Sequence, residues 1–156
     1  MTTHHPQEGT GHPATDPAER ARVVTEFFAR DRFARHSGIE LLEVSEGFAR
    51  AKMPLAPFHH NGIGTVHGGA LFTLADLAFA AASNSHGTVA VAVSATLSIV
   101  KATREGTLWA EAREVARSRK IGTYTVELKD DAGDLVAVFQ GTVYRKSESL
   151  LPQGLT

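Results

Sequence analysis

The residues best suited to catalysis or binding lie in the stretch 61–76, which reads NGIGTVHGGALFTLAD. His67-Gly68-Gly69 precedes a run from 70 to 82 that is apolar except for Thr73 and Asp76. A helix that is apolar nearly all round is normally buried. An ionised carboxylate is costly in such a place unless it is paired or hydrogen-bonded. Asp76 is therefore either a buried structural acid, sharing a polar face with Thr73, or a reactive group.

The two glycines suggest what Asp76 could act upon. Gly68 and Gly69 allow another molecule to approach the backbone closely, and they begin a helix. The first N–H groups of a helix have no internal partners and lie at the positive end of its dipole. A carbonyl oxygen that acquires negative charge is stabilised by such groups. The motif therefore predicts an oxyanion hole at Gly68.

The spacing of Gly68 and Asp76 has a consequence for assembly. Eight residues of helix span about 12 Å, whereas a general base, a water and a carbonyl carbon need separations of about 3 Å. Either the two features are unrelated, or Asp76 meets Gly68 of a second chain. A two-fold axis between antiparallel helices would form two such sites, so the second alternative predicts a homodimer with shared sites.

Composition limits the classes of partner and compartment. The chain has 156 residues, a formal net charge of −1 and no cysteine, which excludes disulfides and thiolate chemistry. No charge block favours nucleic acid or a membrane surface. No apolar run reaches the roughly 20 residues of a spanning helix, and the N-terminus lacks a signal-peptide core. We expect a soluble cytoplasmic protein.

Periodicity and turn residues predict the order of elements. We expect a disordered tail over 1–15, one domain over 16–146 and a C-terminal tail over 147–156. One helix should begin at Asp16-Pro17 and end near His36-Ser37-Gly38, and a central helix should follow the loop 55–66. Strands are predicted over 39–45, 48–54, 89–101, 107–117, 121–129 and 135–145. This order indicates an α+β fold in which an antiparallel sheet wraps one helix.

That element order, with N-G-x4-H-G-G-x-L-F-x-L-A-D inside it, resembles the hotdog-fold acyl-CoA thioesterases, and most closely their phenylacetate-degradation (PaaI-type) group. The resemblance covers residues 20–145. It implies hydrolysis of an acyl-CoA, aromatic such as phenylacetyl or hydroxyphenylacetyl, or short- to medium-chain, to a free acid and coenzyme A. It also implies a homodimer with shared sites, assembled into a homotetramer, that needs no cofactor or metal.

The resemblance assigns roles to individual residues. Asp76 matches the catalytic carboxylate, and Gly68 matches the backbone amide that binds the thioester oxygen. His67 and Asn61 match accompanying polar residues, and Ser94 matches a hydroxyl beside the acid in some relatives. Each has a plainer alternative: His67 as a helix-start residue bonded to backbone, Asn61 as a turn residue, Ser94 as a strand serine. Asp76 could deprotonate a water, the route we favour, or attack the thioester directly.

Substrate contacts are expected around the same motif and at the strand ends. Gly69 and Thr73 lie beside the predicted oxyanion hole. Charge-assisted bonds to the phosphates of coenzyme A could come from four basic residues, each of which could equally be solubilising surface charge: Lys101, Arg104, Arg119 and Lys120. An acid at Asp31 is also common in the family, but we assign it no role.

Other chemistries fit the sequence less well. His59, His60 and His67 lack the ligand spacing of a metal site, and no HExxH or GxSxG motif is present. A hydratase or dehydratase of the same fold would need a histidine motif on the central helix, which is absent. A non-catalytic acyl-CoA-binding protein would not require Asp76.

Overall fold

A computed structural model describes residues 16–150, in which six antiparallel strands form one sheet against a long helix. The helices are α1 (Pro17–Phe28), α2 (Arg32–His36) and α3 (Gly68–Asn84), with a 3-10 turn at Pro57–His59. The strands are β1 (Glu40–Ser45), β2 (Phe48–Pro54), β3 (Thr88–Ile99), β4 (Thr107–Arg117), β5 (Ile121–Lys129) and β6 (Leu135–Ser149). Their spatial order is β1-β2-β4-β5-β6-β3. The predicted α+β hotdog architecture is confirmed.

The N-terminal segment differs from the prediction of a single helix. α1 ends at Phe28, and α2 begins at Arg32 after a short break. Asp31 causes the restart, because its carboxylate accepts a hydrogen bond from the Ala34 N–H at 2.9 Å and so caps α2. Asp16 precedes α1 as expected, but its side chain makes no capping hydrogen bond.

The core lies between α3 and the inner face of the sheet. Small residues on β2 and β4 let the helix approach closely: Ala49, Ala51, Ala110 and Ala112, all fully buried. Gly141 on β6 goes further, because a Cβ there would lie 2.6 Å from Cζ of Phe79. These contacts fix the position of α3, and with it the position of the predicted active-site residues.

One side of α3 is not covered by the sheet. Gly69, Phe72 and Asp76 are exposed and Thr73 is half-buried. We call these four residues the open stripe. The expectation of a helix with no exposed side is wrong for the single chain, because the sheet covers only one face of an apolar helix.

The edge strand β3 and the last strand β6 bear on assembly and on the predicted domain bounds. β3 is an edge strand, and several of its apolar side chains are exposed, Val93 by 60 %. β6 continues to Ser149, which pairs with Thr88, so residues 147–149 belong to the sheet and not to the predicted C-terminal tail. The remaining predicted tail residues, 1–15 and 151–156, lie outside the described residues. No helix within 16–150 is long and apolar enough to cross a membrane.

Candidate active site

The start of α3 presents one free amide. His67 is the N-cap residue, and its Nδ1 accepts the Gly69 N–H at 2.8 Å. The N–H groups of Ala70 and Leu71 donate to the carbonyl of His67. Among the described residues, the Gly68 N–H alone in this first turn has no acceptor. A helix-start amide that is free in this way can donate to an incoming oxygen.

Asp76 lies on the open stripe, two turns further along α3. No side-chain hydrogen bond joins its carboxylate to any other residue within 16–150. Desolvation by the surrounding protein raises the pKa of Asp76, and the nearby Asp31 carboxylate raises that pKa further. An unpaired carboxylate with a raised pKa is a stronger base than an ordinary surface aspartate.

Asn61 is used mainly within its own turn. Its Oδ1 accepts the N–H groups of Ile63 and Thr65, both at 3.1 Å, and its Nδ2 donates to the Thr65 hydroxyl at 2.9 Å. One amide hydrogen of Asn61 is left over. Asn61, Gly68 and Lys101 line the same cavity of about 290 Å³. The sequence motif therefore located a real neighbour of the helix start, although most of its hydrogen bonds serve the turn.

Two histidines hold the loop that carries Asn61. Nδ1 of the buried His59 accepts the Ala56 N–H at 2.9 Å, so its Nε2 carries the proton and donates to the Ser37 carbonyl at 2.7 Å. His60 bonds through Nε2 to the Arg104 carbonyl at 2.6 Å. Both nitrogens of His59 are thus occupied by backbone, and no pattern in the sequence indicates this anchoring role.

Comparisons with known proteins show the family to which the chain is similar. The model of the thioesterase superfamily matches residues 63–137. A putative esterase of Archaeoglobus fulgidus is 42 % identical over 132 residues, which are 84 % of this chain and 86 % of that protein. The acyl-coenzyme A thioesterase PaaI of Escherichia coli is 36 % identical over 119 residues, which are 76 % of this chain and 85 % of the E. coli protein.

The solved structure of the E. coli PaaI protein, from the phenylacetic acid degradation operon, has a TM-score of 0.81 with 32 % identity. The match covers 85 % of this chain and 97 % of that one. The chain belongs to the thioesterase superfamily. The resemblance stated from sequence is confirmed, and the protein is an enzyme of the thioester hydrolase class.

Ser94 lies on the outer face of the sheet of its own chain, and its place beside Asp76 in an assembled site stays a prediction. In this thioesterase Ser94 pairs with Thr142 of β6. Thr142 alternates with Gly141 and Val143, which are buried on the face toward α3. Since paired residues of antiparallel strands share a face, Ser94 points away from α3 and from Asp76.

The basic residues of the thioesterase fall into two groups at opposite ends of the sheet. Lys101 follows β3, and its amino group is paired with Asp130 at 2.6 Å and Asp134 at 2.8 Å. Arg104 is exposed in the next loop. These two lie at the end where α3 begins.

The second group surrounds the β4–β5 turn. Arg119 and Lys120 line a cavity of about 490 Å³ together with Arg145 and Lys146 of β6. Arg145 and Lys146 were not among the predicted substrate contacts, because nothing in the sequence indicates that this end of β6 lies beside the β4–β5 turn. The pairing of β6 with β3 as far as Ser149 places them in the sheet.

Proposed function

We propose that this thioesterase hydrolyses acyl-CoA thioesters, with Asp76 as the general base and the Gly68 amide of the partner subunit as the oxyanion donor. The observation that carries the proposal is the pair of unused groups on α3, the free Gly68 N–H and the unpartnered Asp76 carboxylate. Within one chain these groups are about 12 Å apart. They can act on one carbonyl only if two copies of α3 lie side by side in opposite directions.

The reaction uses water and protein groups alone. Asp76 takes a proton from a water, and the water oxygen bonds to the thioester carbon while the carbonyl oxygen accepts the Gly68 N–H of the partner subunit. The tetrahedral intermediate then collapses, and the carbon–sulfur bond breaks. The proton held by Asp76 passes to the departing sulfur. The products are a free carboxylic acid and coenzyme A.

The neighbouring polar residues orient the substrate. His67 keeps its Nδ1 on the helix cap, so the proton sits on Nε2 and can be donated near the thioester. Asn61 has one amide hydrogen left for the attacking water. The Thr73 hydroxyl donates to the Gly69 carbonyl at 2.7 Å and can still accept a hydrogen bond from the substrate.

The edge strand β3 supports the assembly. The stretch 88–100 contains no charged residue and no proline, although charges and prolines are the usual protection of an exposed strand edge. Pairing of β3 with its copy about a two-fold axis would continue the sheet across both chains and bring the two open stripes together. We propose this homodimer as the active unit, assembled in pairs into a homotetramer.

The two basic groups are proposed to bind the phosphates of coenzyme A. Arg119 and Lys120 have Arg145 and Lys146 beside them in one cavity, so several charge-assisted bonds could form there. Arg104 supplies a further cation at the other end of the sheet. Lys101 contributes less, because two aspartates already neutralise it.

Release of free thiol from a panel of acyl-CoA substrates tests the proposal. Asp76→Ala and Asp76→Asn should lower kcat by about 100-fold or more, as expected when a general base is lost. Asp16→Asn removes another carboxylate that makes no capping bond, and it should leave kcat unchanged. Near-normal turnover by the Asp76 variants would refute the mechanism. Hydration of an enoyl-CoA without thiol release would show that the enzyme is a hydratase instead.

A further inference from the structure

His59 is a buried histidine that has no part in the proposed reaction. Only 3 % of its surface is exposed. Its Nδ1 accepts the Ala56 N–H at 2.9 Å, and its Nε2 bonds to the Ser37 carbonyl at 2.7 Å. The ring of Phe58 packs against it, with the two centroids 4.1 Å apart. Since a buried polar group with all its hydrogen bonds made is held rigidly, the imidazole and the backbone that carries it are fixed in place.

The backbone of His59 contacts the start of α3. Its carbonyl accepts the N–H of His67 at 2.8 Å. His67 is the N-cap of α3, and its Nδ1 accepts the N–H of Gly69. Gly68 lies between these two hydrogen-bonded residues, so the position of its N–H follows from the position of His67. One backbone hydrogen bond thus links His59 to the residue that orients the free amide of α3.

The imidazole joins the loop 55–66 to α2. Among the hydrogen bonds within residues 16–150, only that between His59 and Ser37, the C-cap of α2, makes this connection. On its other side the loop is tied to the connection between β3 and β4, where the Val66 N–H donates to the Thr103 carbonyl at 2.9 Å. Loss of the Ser37 bond would therefore free one side of the loop that leads into α3.

We infer that His59 is a positioning residue of the thioesterase reaction, whose imidazole ties the loop 55–66 to α2 and so holds the Gly68 amide in place. The inference rests on the proposed function and adds a residue to it. His59 acts through His67 and touches no substrate. An oxyanion donor works only over about 2.7–3.1 Å, and a misplacement of about 1 Å can lower a rate by about 100-fold.

Two amide substitutions separate the two bonds of the imidazole. The side-chain nitrogen of glutamine can replace Nε2 as the donor to Ser37, whereas the oxygen of asparagine can replace Nδ1 as the acceptor from Ala56. We expect His59→Gln to keep kcat within a few-fold of wild type. His59→Asn should lower kcat by about tenfold or more with KM nearly unchanged, because only transition-state binding is weakened. Wild-type kcat in His59→Asn would overturn the inference.

The matched control is His36→Asn, which changes an exposed histidine at the end of α2 and should leave kcat unchanged. A double variant then tests whether His59 acts through the Gly68 amide. In a Gly68→Pro background the amide hydrogen is absent, so adding His59→Asn should lower the residual kcat no further. Losses that multiply in the double variant would show that His59 acts elsewhere and would contradict the inference.

Amide hydrogen exchange tests the anchor without any catalysis. His59→Asn should speed exchange of the His67 and Gly69 N–H groups by about tenfold or more, while exchange in β5 stays at the wild-type rate. Unchanged exchange at His67 and Gly69, or an equal rise in β5, would refute the positioning role. If these two amides behave as expected but the wild-type enzyme releases no thiol from any acyl-CoA, the anchor stands and the proposed function fails.

Discussion

Nδ1 of His67 accepts the backbone N–H of Gly69 at 2.8 Å, and this one bond determines which amide of α3 is left for a substrate. The imidazole of His67 accepts the N–H of Gly69, the second residue of the helix, so the Gly68 N–H remains without an acceptor within residues 16–150. The same bond fixes the tautomer of His67 with its proton on Nε2. The helix cap and the proposed oxyanion donor therefore lie within three consecutive residues.

Gly68→Pro should abolish catalysis without unfolding the protein. Proline is favoured at the first position of a helix, and His67 has the extended backbone that a following proline requires. The substitution removes an N–H that has no acceptor among the described residues, so no hydrogen bond within 16–150 is lost. We expect kcat to fall by about 100- to 1,000-fold, the loss typical of one oxyanion donor, with Tm nearly unchanged.

Gly68→Ala is the matched control for that experiment. Alanine keeps the N–H, and its Cβ would lie 3.4 Å from Cδ1 of Ile99, an ordinary contact. We expect kcat within a few-fold of wild type. Equal losses of kcat in the alanine and proline variants would indicate a steric role for Gly68 and contradict the assignment of its amide.

The acidic limb of the pH–rate profile should depend on Asp31. The negative charge of Asp31 disfavours ionisation of Asp76 and contributes to its raised pKa. The proposed mechanism requires ionised Asp76, so the acidic limb of kcat should lie above the ordinary aspartate pKa of about 3.9. Asp31→Asn removes the charge, and asparagine caps a helix as well as aspartate does. We expect the limb to move to lower pH.

The control for the pH shift is Glu26→Gln on α1, whose carboxylate pairs with Arg22 and is not among the groups that raise the pKa of Asp76. That variant should leave the limb in place. A limb that stays fixed in Asp31→Asn, while that protein keeps its wild-type Tm, would show that the limb reports a group other than Asp76.

The differences between prediction and structure have local physical causes. β5 has the predicted bounds, and its alternation of buried and exposed residues is regular along the whole strand. β4 also has the predicted bounds, although its alternation is regular only as far as Ala112. β3 contains an irregularity between Ala92 and Ser94, and one extra residue reverses the face of every later residue in the strand. The resemblance alone could not show that this irregularity turns Ser94 away from α3 of its own chain. The break between α1 and α2 could not be predicted, because the apolar residues keep helical spacing across it. Only the capping bond of Asp31 shows that a new helix begins there.

The candidate motif could be read from sequence because its residues lie within one stretch of chain. The surroundings of this motif could not be predicted, because the burial of α3 depends on strands that are distant in sequence. The open stripe is an example, because its four residues would be covered or exposed according to how far the sheet curves around the helix. The cationic cavity of Arg119 and Arg145 is another, because it joins the β4–β5 turn to β6 through two residues that are 26 positions apart in sequence.

The contact of Gly141 with Phe79 should be a sensitive point of the core. A Cβ at Gly141 would lie 2.6 Å from Cζ of that ring, so Gly141→Ala should reduce the free energy of unfolding by about 1–3 kcal/mol through overpacking. Gly62→Ala, where a Cβ meets nothing within 4 Å, should change stability much less. Thermal or urea unfolding measures both. Phe79→Leu combined with Gly141→Ala should recover part of the loss, and additive losses would argue against the contact.

Mixing two inactive variants offers a direct test of the shared site. In the proposed homodimer, Asp76→Asn and Gly68→Pro should each inactivate both sites. In a mixed dimer, the Asp76 of one chain meets the Gly68 of the other, so one of its two sites is intact. Random assortment makes half of the dimers mixed, and co-expression should therefore restore about 25 % of wild-type kcat per protomer. Co-expression of either variant with itself is the control. If each chain carried a complete site, the mixture would be as inactive as its parents, since neither chain holds both groups.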